Sequence, residues 1–182
     1  MSPSPAELAA GWLDAARRPE VAADLVAVFA DAAEEITRRA PACWASGRCC
    51  NFKQTGHLLF VTGLEAAFTL ERCGSPGRAR LDAALRGGGC PFQVLNLCGV
   101  HGDKPLGCRL YFCDRASFVW QNDVYERLLG GIRSLHTRHG VEYRYGEWRG
   151  LLAQVMEHGD LGVWAGGGGG LDGGTGLTVE GV

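Results

Sequence analysis

Helical periodicity stops in one stretch of this chain, residues 90–113, which reads CPFQVLNLCGVHGDKPLGCRLYFC. Its short apolar runs are separated by proline and glycine, which interrupt helices and favour turns. A chain reversal near Val94 and Leu95 would make Cys90 and Cys98 cross-strand neighbours in a hairpin. We therefore expect an irregular or β-hairpin segment here.

Helices are expected on both sides of this segment. Ser4 and Glu7 form a capping box ahead of a first helix, and Thr62 and Glu65 repeat the pattern further along. Apolar residues spaced three and four apart mark two more helices, one containing Val21, Leu25, Val28, Ala32 and Ile36 and the other Val124, Leu128, Ile132 and Leu135. The predicted fold class is mainly α, a small helical domain with an irregular or β-hairpin cysteine-rich insert.

Length and composition favour one domain. The chain has 182 residues, of which 46% are hydrophobic, enough to close a core without covalent cross-links. We expect a single cysteine-cluster domain over residues 1–164. Residues 165–182 are largely glycine and bury nothing, so a disordered Gly-rich tail is predicted there.

The charge balance argues against two classes of partner. Lys and Arg number 18 against 20 Asp and Glu, so no overall basic field attracts nucleic acid or an anionic membrane. No stretch approaches the roughly 18 apolar residues of a membrane span. Residues 1–10 contain no Lys or Arg, unlike the start of a secretory leader. We expect no nucleic-acid or membrane contact and a cytoplasmic location, where thiols stay reduced.

The cysteines carry the chemical signal. Thiolates are soft ligands that bind zinc or iron–sulfur clusters, and several must converge to hold either. No two cysteines stand in a C-x-x-C relation, which excludes a thioredoxin-like redox pair and the usual zinc knuckle. The predicted metal ligands, for zinc or an iron–sulfur cluster, are Cys43, Cys49, Cys50, Cys90, Cys98, Cys108 and Cys113.

Four residues near this series need separate interpretation. Cys49 and Cys50 are adjacent, so their sulfurs are expected to diverge and serve different sites, or only one ligates. Cys73 lies outside the series near a predicted helix end and is interpreted as an inert buried thiol. His101 follows Cys98 closely enough to complete a three-Cys, one-His site, although a surface role is the simpler interpretation.

Three segments together resemble a known family. They are CWASGRCC at residues 43–50, CPF at 90–92 and KPLGCRLYFC at 104–113. In this order they are similar to the YkgJ-type cysteine-cluster family, whose first motif is CxxCxxCC. The resemblance implies a zinc- or iron-chelating domain. This chain has Ser46 at the family's second cysteine, and a serine hydroxyl is a much poorer ligand than a thiolate.

Three functions remain open at this point. The first is a metal-binding protein that holds zinc or an iron–sulfur cluster; seven or eight thiolates exceed the four that one structural zinc needs, so a second site or spare thiols follow. The second is an iron–sulfur oxidoreductase that transfers electrons to an unidentified partner. The third is a protein-interaction module with purely structural zinc. The sequence has no nucleotide-binding or hydrolase motif, so any catalysis would reside in the metal.

Overall fold

The structure is a computed structural model that describes residues 2–43 and 46–163. The predicted Gly-rich tail, residues 165–182, lies outside the described residues. In the part that is described, no helix has the length and apolar character needed to cross a membrane. The predicted mainly helical class with a small β-hairpin is confirmed. The helices are α1 (Pro5–Arg17), α2 (Pro19–Arg39), α3 (Phe52–Thr55), α4 (Gly63–Cys73), α5 (Arg78–Gly87), α6 (Leu106–Arg109), α7 (Phe118–His139) and α8 (Trp148–His158); the strands are β1 (Phe60–Thr62), β2 (Gln93–Val94), β3 (Leu97–Cys98) and β4 (Tyr145–Glu147).

Both predicted capping boxes are formed. The Glu7 carboxylate accepts the Ser4 backbone N–H at 2.7 Å, and the Ser4 hydroxyl accepts the Glu7 N–H at the start of α1. Thr62 and Glu65 reproduce this reciprocal pair at the start of α4. Each box satisfies backbone N–H groups that have no acceptor inside the first turn of a helix, and so fixes where the helix begins.

The core forms where five helices meet. Helix α1 packs on α4 and α8, while α2 packs on α7. Trp12 of α1 is fully buried at the centre, and its indole N–H donates to the carbonyl of Glu142 at 2.8 Å. Gly63, the first residue of α4, lies against this ring so closely that a Cβ there would be 2.3 Å from it.

An antiparallel pair that the sequence did not predict joins β1 to β4. Phe60 faces Glu147 and Thr62 faces Tyr145 in this register. Because β1 runs directly into α4 and β4 directly into α8, the first turns of these two helices lie side by side. This pairing brings Trp148 and Glu65 toward the cysteine-rich segment.

The predicted hairpin exists, but its turn is one residue later than expected. Strands β2 and β3 pair Val94 with Leu97, so Leu95 and Asn96 form the two-residue turn. Both have positive φ, 47° and 64°, as a type I′ turn requires. Asn tolerates this conformation and β-branched Val94 does not, which explains the shift. Cys98 therefore faces Gln93, and the expected direct pairing with Cys90 is wrong.

Candidate metal centre

Backbone contacts seat the hairpin segment on the turn that carries Cys49 and Cys50. The Cys90 N–H donates to the carbonyl of Cys50 at 2.9 Å. The Gln93 side chain donates to the carbonyl of Gly47 at 3.0 Å. Gly47 has a φ of 70°, and a Cβ there would be 2.3 Å from the Asn96 carbonyl oxygen, so glycine is needed at this approach.

Five of the seven predicted ligands converge where these segments meet. The thiol of buried Cys50 has three other sulfurs within hydrogen-bonding reach, those of Cys49, Cys90 and Cys98. The sulfur of Cys108, on α6, lies close enough to interact electrostatically with the same group. We call these five the inner thiols: Cys49, Cys50, Cys90, Cys98 and Cys108.

The thiols of Cys49 and Cys50 interact with each other instead of diverging fully, while the expectation that they serve different sites, or that only one ligates, stays a prediction. Both lie in a 3-10 turn over Arg48–Cys50, and their side chains are hydrogen-bonded to each other. The tight turn, of about three residues per revolution, lets Cys50 point into the core while Cys49 lies at its edge. Adjacent cysteines can therefore contribute to one site here.

Hydrogen bonds within the group separate the acidities of the inner thiols. The Cys50 S–H, acting as donor, lowers the pKa of Cys49 to about 6. When that one proton is directed toward Cys98 instead, it lowers the pKa of Cys98 to about 7, with help from the Val100 N–H and the Lys104 ammonium. The pKa of Cys50 is raised, because its proton is held by hydrogen bonding to these neighbouring sulfurs. Thiolate and thiol forms thus coexist near neutral pH.

Cys108 behaves differently from the other inner thiols. Burial, and then the nearby charges of Cys90 and Cys98, raise the pKa of its thiol well above the ordinary value. A buried thiolate without a counter-charge is costly. The Lys104 ammonium partly offsets this effect, and a cation among the inner thiols would favour ionisation of the Cys108 sulfur further.

Two further N–H groups serve the sulfur of Cys90. Its pKa is lowered first by Cys50, and also by the Phe92 backbone N–H and the Trp148 indole. The Trp148 ring is 1% exposed, and its Nε1 meets no acceptor in full hydrogen-bond geometry within the described residues. A buried N–H without a partner is uncommon. This donor faces a sulfur that would accept more strongly as a metal-bound thiolate.

The remaining predicted ligands lie outside the inner thiols. Cys43 is exposed, and together with Cys113 and Ser46 it borders a cavity of about 50 Å³ that also touches Cys49. Burial, followed by the nearby Cys49 charge, raises the pKa of Cys113. We call Cys43 and Cys113 the outer thiols.

Cys73 and His101 are occupied elsewhere. The Cys73 sulfur donates to Asp103 at 3.7 Å, and burial together with that carboxylate raises its pKa to about 11. The His101 Nε2 lies 3.0 Å from the Lys104 ammonium, whose charge lowers the imidazole pKa. Neither side chain contacts the inner thiols through a hydrogen bond.

The inner thiols line two cavities. All five border a groove of about 510 Å³ whose walls include the apolar side chains of Phe29, Ile36 and Trp148. Cys49 and Cys108 also border a second cavity of about 230 Å³, alongside the phenol ring of Tyr111. Among the described residues that line the groove there is no carboxylate, and Lys104 supplies positive charge.

As it stands, the site is not arranged around a metal position. Within residues 2–43 and 46–163, no three His, Cys, Asp or Glu side chains form a group that could hold a metal ion. Three sulfurs surround the Cys50 thiol instead of a shared centre. The donor chemistry nevertheless fits a thiophilic metal, because a metal bonded to these sulfurs would replace the protons of their S–H···S contacts. The buried Trp148 N–H, which has no acceptor in full hydrogen-bond geometry among the described residues, could then donate to a thiolate.

Sequence reasoning missed Trp148 and Glu65 as parts of this region. Glu65 was predicted only as part of a capping box, which is correct locally, and Trp148 is the first residue of α8. Their closeness to the cysteines depends on the β1–β4 pairing, for which the sequence carries no periodic signal.

Comparison with protein-family models, with curated proteins and with solved structures finds no match for this chain. The resemblance to the YkgJ-type family therefore depends on the cysteine motifs alone.

Proposed function

We propose that this chain is a metal-binding protein of the YkgJ type, and that its inner thiols hold a single zinc ion. The observation that supports the proposal is the convergence of five thiols from three separate segments, which border one groove beside the helical core. The free thiols throughout also support a reducing compartment, the cytoplasm.

The spacing of the sulfurs favours one ion over a cluster. Zinc–sulfur bonds of about 2.3 Å in a tetrahedron place the sulfurs about 3.8 Å apart. The Cys50 thiol interacts with the thiols of Cys49, Cys90 and Cys98, and sulfurs that contact one another suit a single ion better than a cluster. An iron–sulfur cluster attaches its thiolates to different iron atoms and needs them farther apart.

The surrounding residues fit a thiolate site. The Lys104 ammonium offsets the negative charge that builds up as thiols ionise, as its effect on Cys49 and Cys98 indicates. Backbone N–H groups of Phe92 and Val100 donate to Cys90 and Cys98 and hold their orientation. A bound zinc ion would supply folding free energy by linking the three segments.

Metal analysis of the purified chain, prepared both with and without oxygen, tests this proposal. We expect colourless protein with one zinc per chain. Cys90→Ser and Cys98→Ser should each lose most of the metal, because each removes an inner thiol. Cys73→Ser is the matched control and should retain it, since Cys73 is hydrogen-bonded to Asp103 instead.

Other outcomes would point to other functions. Brown protein with iron and sulfide would replace zinc by a cluster and favour electron transfer to a redox partner. Full zinc retention in both Cys90→Ser and Cys98→Ser would contradict the site. Zinc with no redox activity and a co-purifying protein would favour an interaction module.

A further inference from the structure

We infer that Glu65 is a positioning residue that holds the turn carrying Cys108 in register with the other inner thiols. The inference deepens the proposed function and rests on it for its effect on zinc. Its structural part, the placement of Cys108, stands on contacts that exist without any metal.

The Glu65 carboxylate joins two distant parts of the chain. Its Oε2 accepts the Thr62 backbone N–H at 2.8 Å and the Thr62 hydroxyl at 2.9 Å, closing the cap of α4. Its Oε1 accepts the backbone N–H of Leu106 at 2.9 Å, across 41 positions of sequence. Leu106 begins α6, the short helix on which Cys108 lies.

A second contact from α4 holds the same loop. The hydroxyl of buried Thr69, one helical turn beyond Glu65, donates to the carbonyl of Asp103 at 2.8 Å. Residues four apart lie on one face of a helix. This face of α4 thus fixes the loop at Asp103 and Leu106, on the approach to Cys108.

Helix capping alone does not account for this carboxylate. Glu7 performs the same capping task in α1, yet it is exposed, and within the described residues its only hydrogen-bond partner is Ser4. Glu65 is 2% exposed, and each of its oxygens receives a donor. A buried carboxylate is costly unless its hydrogen bonds are complete. Among these residues, the capping glutamate of α1 makes no bond comparable to the one between Glu65 and Leu106. That bond links the cap of α4 to the cysteine segment.

Arg109 completes the arrangement from the other side. Its Nε donates to the carbonyl of Lys104 at 2.8 Å and its Nη2 to that of Gly102 at 2.6 Å, while its guanidinium stacks 4.2 Å from the Phe29 ring centre. The loop before α6 is thus bound on one side by Arg109, which follows it in the chain, and on the other side by α4. Without the Glu65 contact, α4 would still hold the loop at Asp103, through Thr69, Arg72 and Cys73, but nothing from α4 would hold the N–H of Leu106, where the helix of Cys108 begins.

Differential alkylation of the reduced, metal-free full chain tests the inference. The readout is the labelling rate of Cys108 divided by that of Cys90, measured by mass spectrometry. Glu65→Gln has one side-chain oxygen to accept hydrogen bonds, where Thr62 and Leu106 together need two. The segment that carries Cys108 should loosen, so we expect the ratio to rise several-fold. Thr62→Ala removes the cap hydroxyl but keeps the Leu106 bond, and Glu7→Gln alters only the other capping box. Both controls should leave the ratio unchanged, because a general loss of stability speeds both labelling rates together.

Zinc affinity gives a second readout. Loss of a supporting hydrogen bond beside a ligand typically weakens metal binding by about tenfold or more, and we expect this for Glu65→Gln in a chelator competition but not for Glu7→Gln. If the wild-type chain binds no zinc, the proposed function fails while the labelling ratio still decides the role of Glu65. An unchanged ratio in Glu65→Gln would overturn the inference.

A second variant guards against misfolding. Glu65→Asp keeps the charge but is one methylene shorter and cannot reach both Thr62 and Leu106, so its ratio should also rise. If circular dichroism shows both Glu65 variants unfolded where Thr62→Ala is folded, Glu65 is a general stabiliser, and the positioning role is overturned.

Discussion

His136 shows how a single buried side chain sets a pH limit on the fold. The imidazole is 2% exposed, its Nδ1 lies 3.2 Å from the carbonyl of Val141, and its Nε2 meets no partner among the described residues. Burial lowers its pKa. The folded chain therefore holds a neutral histidine with Nδ1–H donating to Val141, and a second proton at Nε2 would have no acceptor.

The free energy of unfolding should fall on mild acidification. A histidine whose pKa is lowered by folding takes up its proton first in the unfolded chain, so stability is lost as the pH drops below about 6.5. The slope contributed by one such group is at most about 1.4 kcal/mol per pH unit. Urea unfolding of His136→Gln between pH 7.5 and 5.5 should show a shallower dependence than the wild type.

Two other histidines limit the size of this change. The pKa values of His57 and His101 are also lowered, so part of the slope will remain in the variant. Exposed His158→Gln is the control and should retain the wild-type slope. Equal slopes in the wild type and in His136→Gln would contradict the assignment.

At the scale of elements, local signals were predictable and long-range pairings were not. Ser4 with Glu7, and Thr62 with Glu65, marked two helix starts because capping depends on neighbouring residues. The strands Phe60–Thr62 and Tyr145–Glu147 are too short to show an alternating pattern, and their contact depends on how the helices pack.

The same contrast applies to the candidate site. The cysteine series was visible in the sequence, because thiol spacing and family motifs are local. Its division into inner and outer thiols was not visible, since Cys108 approaches Cys90 and Cys98 only through the position of α6, while Cys43 is exposed. Glu65 could not be recognised as a tether because its partner, Leu106, is a backbone group far along the chain.

The junction of α1 and α4 predicts opposite effects for two identical substitutions. Gly63→Ala would place a methyl group 2.3 Å from the Trp12 ring, and overpacking of this kind costs about 1–3 kcal/mol. Gly11 is an exposed residue in the middle of α1 with nothing within 4 Å of an added Cβ, so Gly11→Ala should stabilise the helix by about 0.5–1 kcal/mol.

Urea titration of the two alanine variants measures these changes. The midpoint should move down for Gly63→Ala and up for Gly11→Ala relative to the wild type. A neutral Gly63→Ala would show that Trp12 moves aside at little cost, and the close packing of α1 on α4 would then need revision.

For the whole molecule, the inner thiols connect parts of the chain that the helical core connects only indirectly. The turn before α3, the hairpin after α5 and helix α6 meet at these sulfurs. Trp12, Phe68 and Leu152 lie inside the helical core, whereas Cys90, Cys98 and Cys108 pack against it as partly buried side chains. Stability should therefore have a metal-independent part from the core and a metal-dependent part from the cysteine segments.

Thermal unfolding should show the metal-dependent part. Binding to the folded state alone, at a free zinc concentration 100 times Kd, adds about 2.7 kcal/mol. For a chain of this size that corresponds to a rise in Tm of roughly 5–10 °C. Scans of chelator-treated protein with and without added zinc measure the change. Magnesium, which prefers oxygen ligands, is the control and should leave Tm unmoved.

The two cavities that share Cys49 and Cys108 have a kinetic consequence. A metal enclosed on all sides leaves only when the protein opens, whereas one beside open space can bond to an incoming ligand before its last protein thiolate departs. The rate at which this site exchanges its ion should then depend on the concentration of the incoming chelator. The residence time of the ion would shorten as that concentration rises.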